Sequence, residues 1–278
     1  SNSILRKAAK TISKYKMIKN DELVVVGVSG GKDSLVLLSI LKKMSETHNF
    51  RIIAVTIDEG IPGYRDEALE IVKSFCSKLD VEFRTYSYKE LYDVTLSESL
   101  ELRDEEKTTS CSICGIFRRR ALDHAAEELG ANVIATGHNL DDSLQTFLIN
   151  TLSGDSNKIG WMSPGSDSKQ IRKIKPLAEI YESEIVFYAF TNNLPFQTEP
   201  CPHMNEGIRT EIREFLNSIE DQHSGIKNNM YRSIIKISEV MKDSSFKEKR
   251  ICTNCGNQCT GKICAVCNMI TDLKKERS

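Results

Sequence analysis

Three groups of residues in this sequence have the types and spacing that chemistry needs. The first is Ser29-Gly30-Gly31-Lys32-Asp33-Ser34, which follows an apolar run and precedes a helical pattern. A strand that turns through glycines into a helix leaves backbone N–H groups unpaired at the helix N-terminus, and the helix dipole favours an anion there. Gly30 and Gly31 allow close approach. Lys32 adds a cation, Ser29 and Ser34 add hydroxyl donors, and Asp33 is placed to position a phosphate-bound Mg²⁺. The loop has neither the spacing of a Walker A motif nor that of a G-x-G-x-x-G dinucleotide turn.

The second group is Cys111-x-x-Cys114 with Cys201 far downstream in Glu-Pro-Cys-Pro-His. Three thiolates suit three irons of a cubane cluster and leave the fourth iron open to sulfide. The residues alone leave other readings open: zinc with His203 as fourth ligand, a thioredoxin-like redox pair, or bystander thiols. The third group, Cys252-x-x-Cys255 then Cys264-x-x-Cys267, has zinc-ribbon spacing. Four thiolates make a closed tetrahedral site, structural rather than catalytic. A terminal segment this short cannot build its own core, so a metal staple is expected physically. Cys259 reads as a bystander or an alternative ligand, and Cys76 as a buried core thiol.

The elements that must position these groups follow from apolar periodicity. Residues 4–19 suggest a helix with Ile4, Ala8, Ile12 and Tyr15 on one face. Leu23–Val28, Ile52–Ile57, Val81–Tyr86 and Asn132–Thr136 read as buried strands, and they alternate with helices near 35–44, 67–79, 117–129 and 141–152. This alternation predicts right-handed crossovers and a doubly wound parallel α/β sheet. Residues 154–169 are rich in turn formers, and 206–242 look helical. The expected organisation is a basic N-terminal helix (1–20), a nucleotide domain (21–200), a helical extension (201–249) and a zinc ribbon (250–278).

Bulk charge is close to neutral at −1, so only local clusters suggest a polyanion partner. These are the six basic residues from Arg6 to Lys19, Arg118–Arg120, then Arg172, Lys173 and Lys175, and finally Lys247, Lys249 and Arg250. No apolar run is long enough for a membrane span, and charges interrupt the N-terminal apolar positions, so neither a membrane protein nor a signal peptide is expected. Nine cysteines in such a chain point to metal rather than disulfides, with a cytoplasmic location as the default.

The order SGGKDS, CSICGIFRRR, ATGHNLDD and EPCPH resembles the tRNA 2-thiolation branch of the PP-loop ATP pyrophosphatases, along essentially the whole chain. The resemblance implies that Ser29–Ser34 hold ATP phosphates, and that adenine is read near Thr56, Ile57 and Asp58 and the turn Gly137-His138. It implies a 4Fe–4S cluster on Cys111, Cys114 and Cys201, where an older view of such proteins used a cysteine persulfide. Asp142 matches the family's catalytic aspartate, whereas Asp141 reads as a solvated helix residue. Arg118 stands where relatives often have Lys; arginine holds its proton, so charge stabilisation is expected there rather than base chemistry.

The C-terminal ribbon favours uridine over cytidine as the target, and wobble uridine is preferred over T-loop uridine. The resemblance also implies tRNA as partner, sulfide or a ubiquitin-like carrier as sulfur donor, a homodimer, and an N-terminal zinc module ahead of Ser1. Two rivals remain at this level: a cluster-free adenylating ligase on the same loop, and a catalytically silent zinc-ribbon RNA-binding protein.

Overall fold

The computed structural model describes residues 2–104, 108–165, 171–203, 208–241 and 250–275. Five parallel strands form the central sheet in the order β3-β2-β1-β4-β5: β1 (Glu22–Gly27), β2 (Phe50–Asp58), β3 (Phe83–Ser87), β4 (Val133–Thr136) and β5 (Arg172–Ile174). Val24, Val25 and Val26 of the central strand are fully buried, as expected for a run covered on both faces. The strand order reverses between β1 and β4, so their carboxyl ends flank the crevice where open α/β sheets bind ligands.

One face of the sheet carries α1 (Asn2–Lys14), α2 (Lys32–Ser45), α3 (Tyr64–Leu79) and α8 (Glu182–Thr191) around a common core. Ile4, Ala8 and Ile12 of α1 are buried there, and the helix stops at Lys14, ahead of the left-handed Lys16. Cys76 lies in the same core, where burial pushes its thiol up to about 11. The other face carries α4 (Tyr88–Tyr92), α5 (Leu96–Glu101) and α6 (Ser110–Glu128).

Helix α6 begins seven residues earlier than the sequence pattern suggested. Thr109 caps it by accepting a bond from the Ser112 amide at 3.3 Å, so Cys111 and Cys114 lie within its first turns and not ahead of it. Tyr88 and Tyr92 brace this helix. Tyr92 stacks on Phe117 at 4.8 Å between ring centroids, and the Tyr88 hydroxyl donates to the Cys114 carbonyl at 2.8 Å.

Helix α7 (Leu140–Leu152) shares a third core with α9 (Arg209–Gln222) and α10 (Ile226–Met241). Part of the turn-rich segment forms a 3-10 turn (Ser156–Trp161) against α10; residues 166–169 lie outside the described residues. Trp161, at the end of this turn, is 54% exposed. A two-stranded unit, β6 (Arg250–Ile251) and β7 (Gln258–Cys259), then α11 (Ala265–Lys275) complete the described chain. Cys252, Cys264, Val266 and Leu273 of this module bury against the α6 side of the sheet.

Candidate functional site: a phosphate loop beside three cysteines

The loop after β1 is held from several sides. The Val28 amide bonds to the Val55 carbonyl at 2.8 Å, and the Thr56 hydroxyl donates to the Val28 carbonyl at 2.6 Å. Ser34 Oγ accepts from the Ser29 amide at 3.1 Å and donates to the Gly31 carbonyl at 2.8 Å, curling the loop over the start of α2. Gly30 sits at φ +91°, and a Cβ there would come within 3.0 Å of the Ala68 Cβ on α3. Glycine therefore serves both dihedral and space. Gly137, after β4, faces the same loop: a Cβ there would lie 2.9 Å from the Asp33 carbonyl carbon. The two glycine turns at the sheet's switch point are packed backbone to backbone.

Lys32 bridges Asp33 at 3.0 Å and Glu182 at 2.7 Å, the latter at the start of α8. Desolvation opposes its charge, but the two carboxylates outweigh it and raise its pKa. Asp33 also accepts from Asn139 Nδ2 at 2.9 Å. Asn139 in turn caps α7, exchanging bonds with Asp142 in a capping box. Desolvation raises the pKa of both Asp33 and Asp142, and Asp142 adds to the shift of Asp33 by repulsion. Two desolvated carboxylates repelling each other beside a phosphate loop fit a divalent cation.

Around Asp142 stand Lys175, whose pKa is lowered by desolvation, and Arg209, which donates to Gln145 at 3.0 Å. His138 lies in the same mouth, pushed down to about 4 by desolvation and by the cations Lys175, Arg118 and Arg209. At the end of β2, Ile57 is buried, Thr56 is committed to Val28, and Asp58 accepts from the Gly60 amide at 2.8 Å.

Cys111 and Cys114, three apart on α6, share a helix face. The 201–203 segment closes on that helix: Ser110 Oγ donates to the His203 carbonyl at 3.3 Å, with the Cys111 thiol 4.0 Å from the same oxygen. The Cys201 thiol is raised by desolvation and further by repulsion from Cys114 and Cys111. Three free thiols thus stand at this end of α6, a donor set of the kind that suits an iron–sulfur cluster. Arg118 donates to Cys114 Sγ at 2.8 Å, a bond of the kind that orients and tunes a metal-ligating sulfur. Burial opposes the Arg118 charge, but Cys114 and Glu59 raise its pKa, so it remains a cation.

The ribbon cysteines are arranged differently. The sulfurs of Cys252, Cys255, Cys264 and Cys267 lie within 4.8 Å of one another, and Cys255 Sγ is 3.7 Å from Cys264 Sγ. Tetrahedral Zn–S bonds of about 2.3 Å place sulfurs roughly 3.8 Å apart, so this set fits one zinc ion. Among the described residues no other group of three or more such ligands closes to that spacing.

The structure corrects the expectation for Asp141. Asp141 is not a solvated helix residue: it is buried, bonded to Lys227 Nζ at 2.5 Å, and accepts from the Glu182 amide at 2.8 Å. It ties α7, α8 and α10 together behind the site. The basic residues at 118–120 and 172–175 are mostly drawn into contacts on the protein, although Arg118, Arg119 and Lys173 stay exposed. Arg118 faces Cys114, Arg120 pairs with Glu127, Arg172 with Glu22 at 2.5 Å, and Lys173 with Asp123. In α1, Lys7 and Lys14 pair with Glu184 and Glu179. Lys247 and Lys249 lie outside the described residues.

Sequence reasoning overlooked Glu59, Arg65 and Glu182. Glu59 directly follows the Asp58 already singled out at the end of β2, where a ligand crevice was expected. Nothing local marks Glu182, which meets Lys32 only through the fold.

Residues 2–220 match the PP-loop domain family. The tRNA 2-thiolation protein NcsA of Haloferax volcanii is 33% identical over 92% of this chain and 84% of its own length. Cytoplasmic tRNA 2-thiolation protein 1 of Drosophila erecta is 36% identical, over 95% and 78% respectively. Among solved structures, the U34-tRNA thiolase NcsA of Methanococcus maripaludis with its [4Fe-4S] cluster superposes with a TM-score of 0.84. Its sequence is 29% identical, and the match covers 98% of this chain and 87% of that one.

Proposed function

Since the chain belongs to the PP-loop family of tRNA 2-thiolation proteins, we propose that it activates a tRNA uridine with ATP and replaces the uridine 2-oxygen with sulfur. The observation that carries this is the nearness of the phosphate loop to three free thiols, with Ser29 joined to Cys114 through Arg65, Glu59 and Arg118. The wobble uridine is the target, in line with the U34 specificity of the structural relative. A wobble base in an anticodon loop is unstacked enough to be drawn into such a site.

The ATP phosphates lie on the amides of Ser29–Ser34, with Lys32 turning from Glu182 toward them and Asp33 holding Mg²⁺. Adenine lies at the end of β2 against the main chain of Thr56, Ile57 and Asp58, with Gly137 and His138 opposite. The uridine O2 attacks the α-phosphorus, pyrophosphate leaves, and C2 now bears AMP in place of a poor leaving group. A sulfur nucleophile then forms the C–S bond at C2, and AMP departs with the original oxygen.

Asp142 and Lys32 position and balance charge in the first step, and Arg118 supplies a fixed positive charge beside the second. Cys111, Cys114 and Cys201 would hold the 4Fe–4S cluster, which when bound presents sulfide at its open iron. Cys252, Cys255, Cys264 and Cys267 would hold Zn²⁺ and fix the C-terminal module on α6. Sulfide or a ubiquitin-like carrier's thiocarboxylate is the sulfur source, a homodimer is the expected assembly, and the cytoplasm the expected location. No helix among the described residues is long and apolar enough to cross a membrane.

Oxygen tracing tests the chemistry. With tRNA carrying ¹⁸O at uridine O2, the label is expected in the phosphate of AMP. Label in free water or pyrophosphate overturns adenylation at C2.

A further inference from the structure

The phosphate loop and the cysteine site are joined by an unbroken chain of charged contacts through one buried carboxylate. Glu59, 6% exposed, follows β2 and is anchored by its own carbonyl, which accepts from the Leu96 amide at 2.7 Å. Its Oε2 lies 3.0 Å from Nε of Arg65, a residue of α3 only 3% exposed. The same guanidinium donates through Nη1 to the Ser29 carbonyl at 2.7 Å, at the entrance of the phosphate loop. The other Glu59 oxygen lies 3.4 Å from Arg118 Nε, and Arg118 Nη2 donates to Cys114 Sγ at 2.8 Å. One carboxylate thus forms ion pairs with two arginines, and each arginine holds one reacting half of the site.

We propose that Glu59 is a positioning residue that couples the two halves, so that filling the cysteine site changes the grip of the phosphate loop on nucleotide. The inference rests on the iron–sulfur reading of Cys111, Cys114 and Cys201. The physical ground is that two cations share one acceptor. When Cys114 takes up a metal, the demand of its sulfur on Arg118 changes, and so does the share of Glu59 left to Arg65. Arg65 is buried and its Nε makes no hydrogen bond, so it meets Glu59 through charge, and a change in that charge is felt at its bond to the Ser29 carbonyl. A carboxylate serving only the packing of α3 would need Arg65 alone. The fork to Arg118 is what a structural role leaves unused.

Spatial continuity by itself is only an indication of coupling, so the test measures the coupling directly. The full chain, with and without its cluster, is titrated anaerobically with α,β-methylene-ATP and Mg²⁺ by calorimetry. The expected result is an affinity difference between the two forms of about fivefold or more. Glu59→Gln keeps the shape but removes the shared charge; it is expected to bring the two affinities within about twofold of each other. Arg118→Met, at a half-exposed position, is expected to remove the difference in the same way if Glu59→Gln fails to fold.

A difference that survives both substitutions is direct electrostatics and overturns the relay, as does a wild-type chain whose two forms bind equally. Failure to load any iron on the wild-type chain contradicts the underlying functional reading instead, and is visible before any nucleotide is added.

Discussion

Two cysteine sites adjoin α6, one within its first turns and one in the module packed against it, and they solve different problems. At the ribbon, four sulfurs within 4.8 Å of one another are spaced to hold a single ion, and Cys252 and Cys264 are buried as part of a small core. At the N-terminus of α6, three thiols lie along the edge of the nucleotide crevice, with Cys111 exposed and a guanidinium against Cys114. A closed tetrahedron has no position left for a reactant, whereas three ligands on a cubane leave one metal free. Ligand count and access separate a staple from a chemical centre more reliably than cysteine spacing, since both sites begin with the same C-x-x-C.

That contrast is open to direct attack. The largest effect is expected from Cys111→Ala: thiolation falls to background, iron is lost, and zinc content stays at the wild-type level. Because Cys111 is exposed, the melting temperature should hardly move, as surface changes cost within about 0.5 kcal/mol. Loss of zinc from this variant would mean that the two sites are not independent.

Next come Lys32→Ala and Asp142→Ala, expected to lower AMP formation by about 10²–10³-fold while iron and zinc remain, as when one preorganised charge is removed from a reacting centre. Unchanged pyrophosphate release with either variant would separate the phosphate loop from the chemistry.

Cys255→Ser should do the reverse of Cys111→Ala. Zinc is lost and amide-exchange protection disappears from residues 250–275, while iron and ATP binding persist and thiolation drops only severalfold. The smallest effect concerns His138. Its folded pKa of about 4 lies below the unfolded value near 6.5. The neutral ring therefore contributes stability that is fully present above about pH 6.5 and is lost as pH falls toward 4. An NMR titration should place its midpoint well below 6, and a midpoint near 6.5 would mean that the crevice is not desolvated as described.

Much of this site was legible in the sequence, for identifiable reasons. The phosphate loop is a contiguous strand–glycine–helix signal, so Ser29–Ser34 carried their chemistry in order along the chain. The parallel sheet followed from runs such as Leu23–Val28, buried on both faces, although β5 is only three residues long and gave no period to detect. The ribbon was legible from spacing alone. What failed was anything settled by long-range pairing. Asp141 and Asp142 are adjacent acids on one helix, yet one is buried against Lys227, 86 residues away, and the other faces the crevice. Arg172 looked like part of a basic patch until the fold set Glu22 beside it. Glu59 and Glu182 acquire roles only through partners on other elements, and a local reading has no access to those.

The most direct test of the whole account is thiolation by the metal-defined chain. The protein is purified anaerobically and divided, and one half is stripped of iron while its zinc is kept. Both halves then receive ATP, Mg²⁺, sulfide and tRNA, and the nucleosides are mapped by mass spectrometry. The account predicts one AMP for each 2-thiouridine, at the wobble position, from the iron-loaded half alone. Equal thiolation by the iron-free half would contradict it.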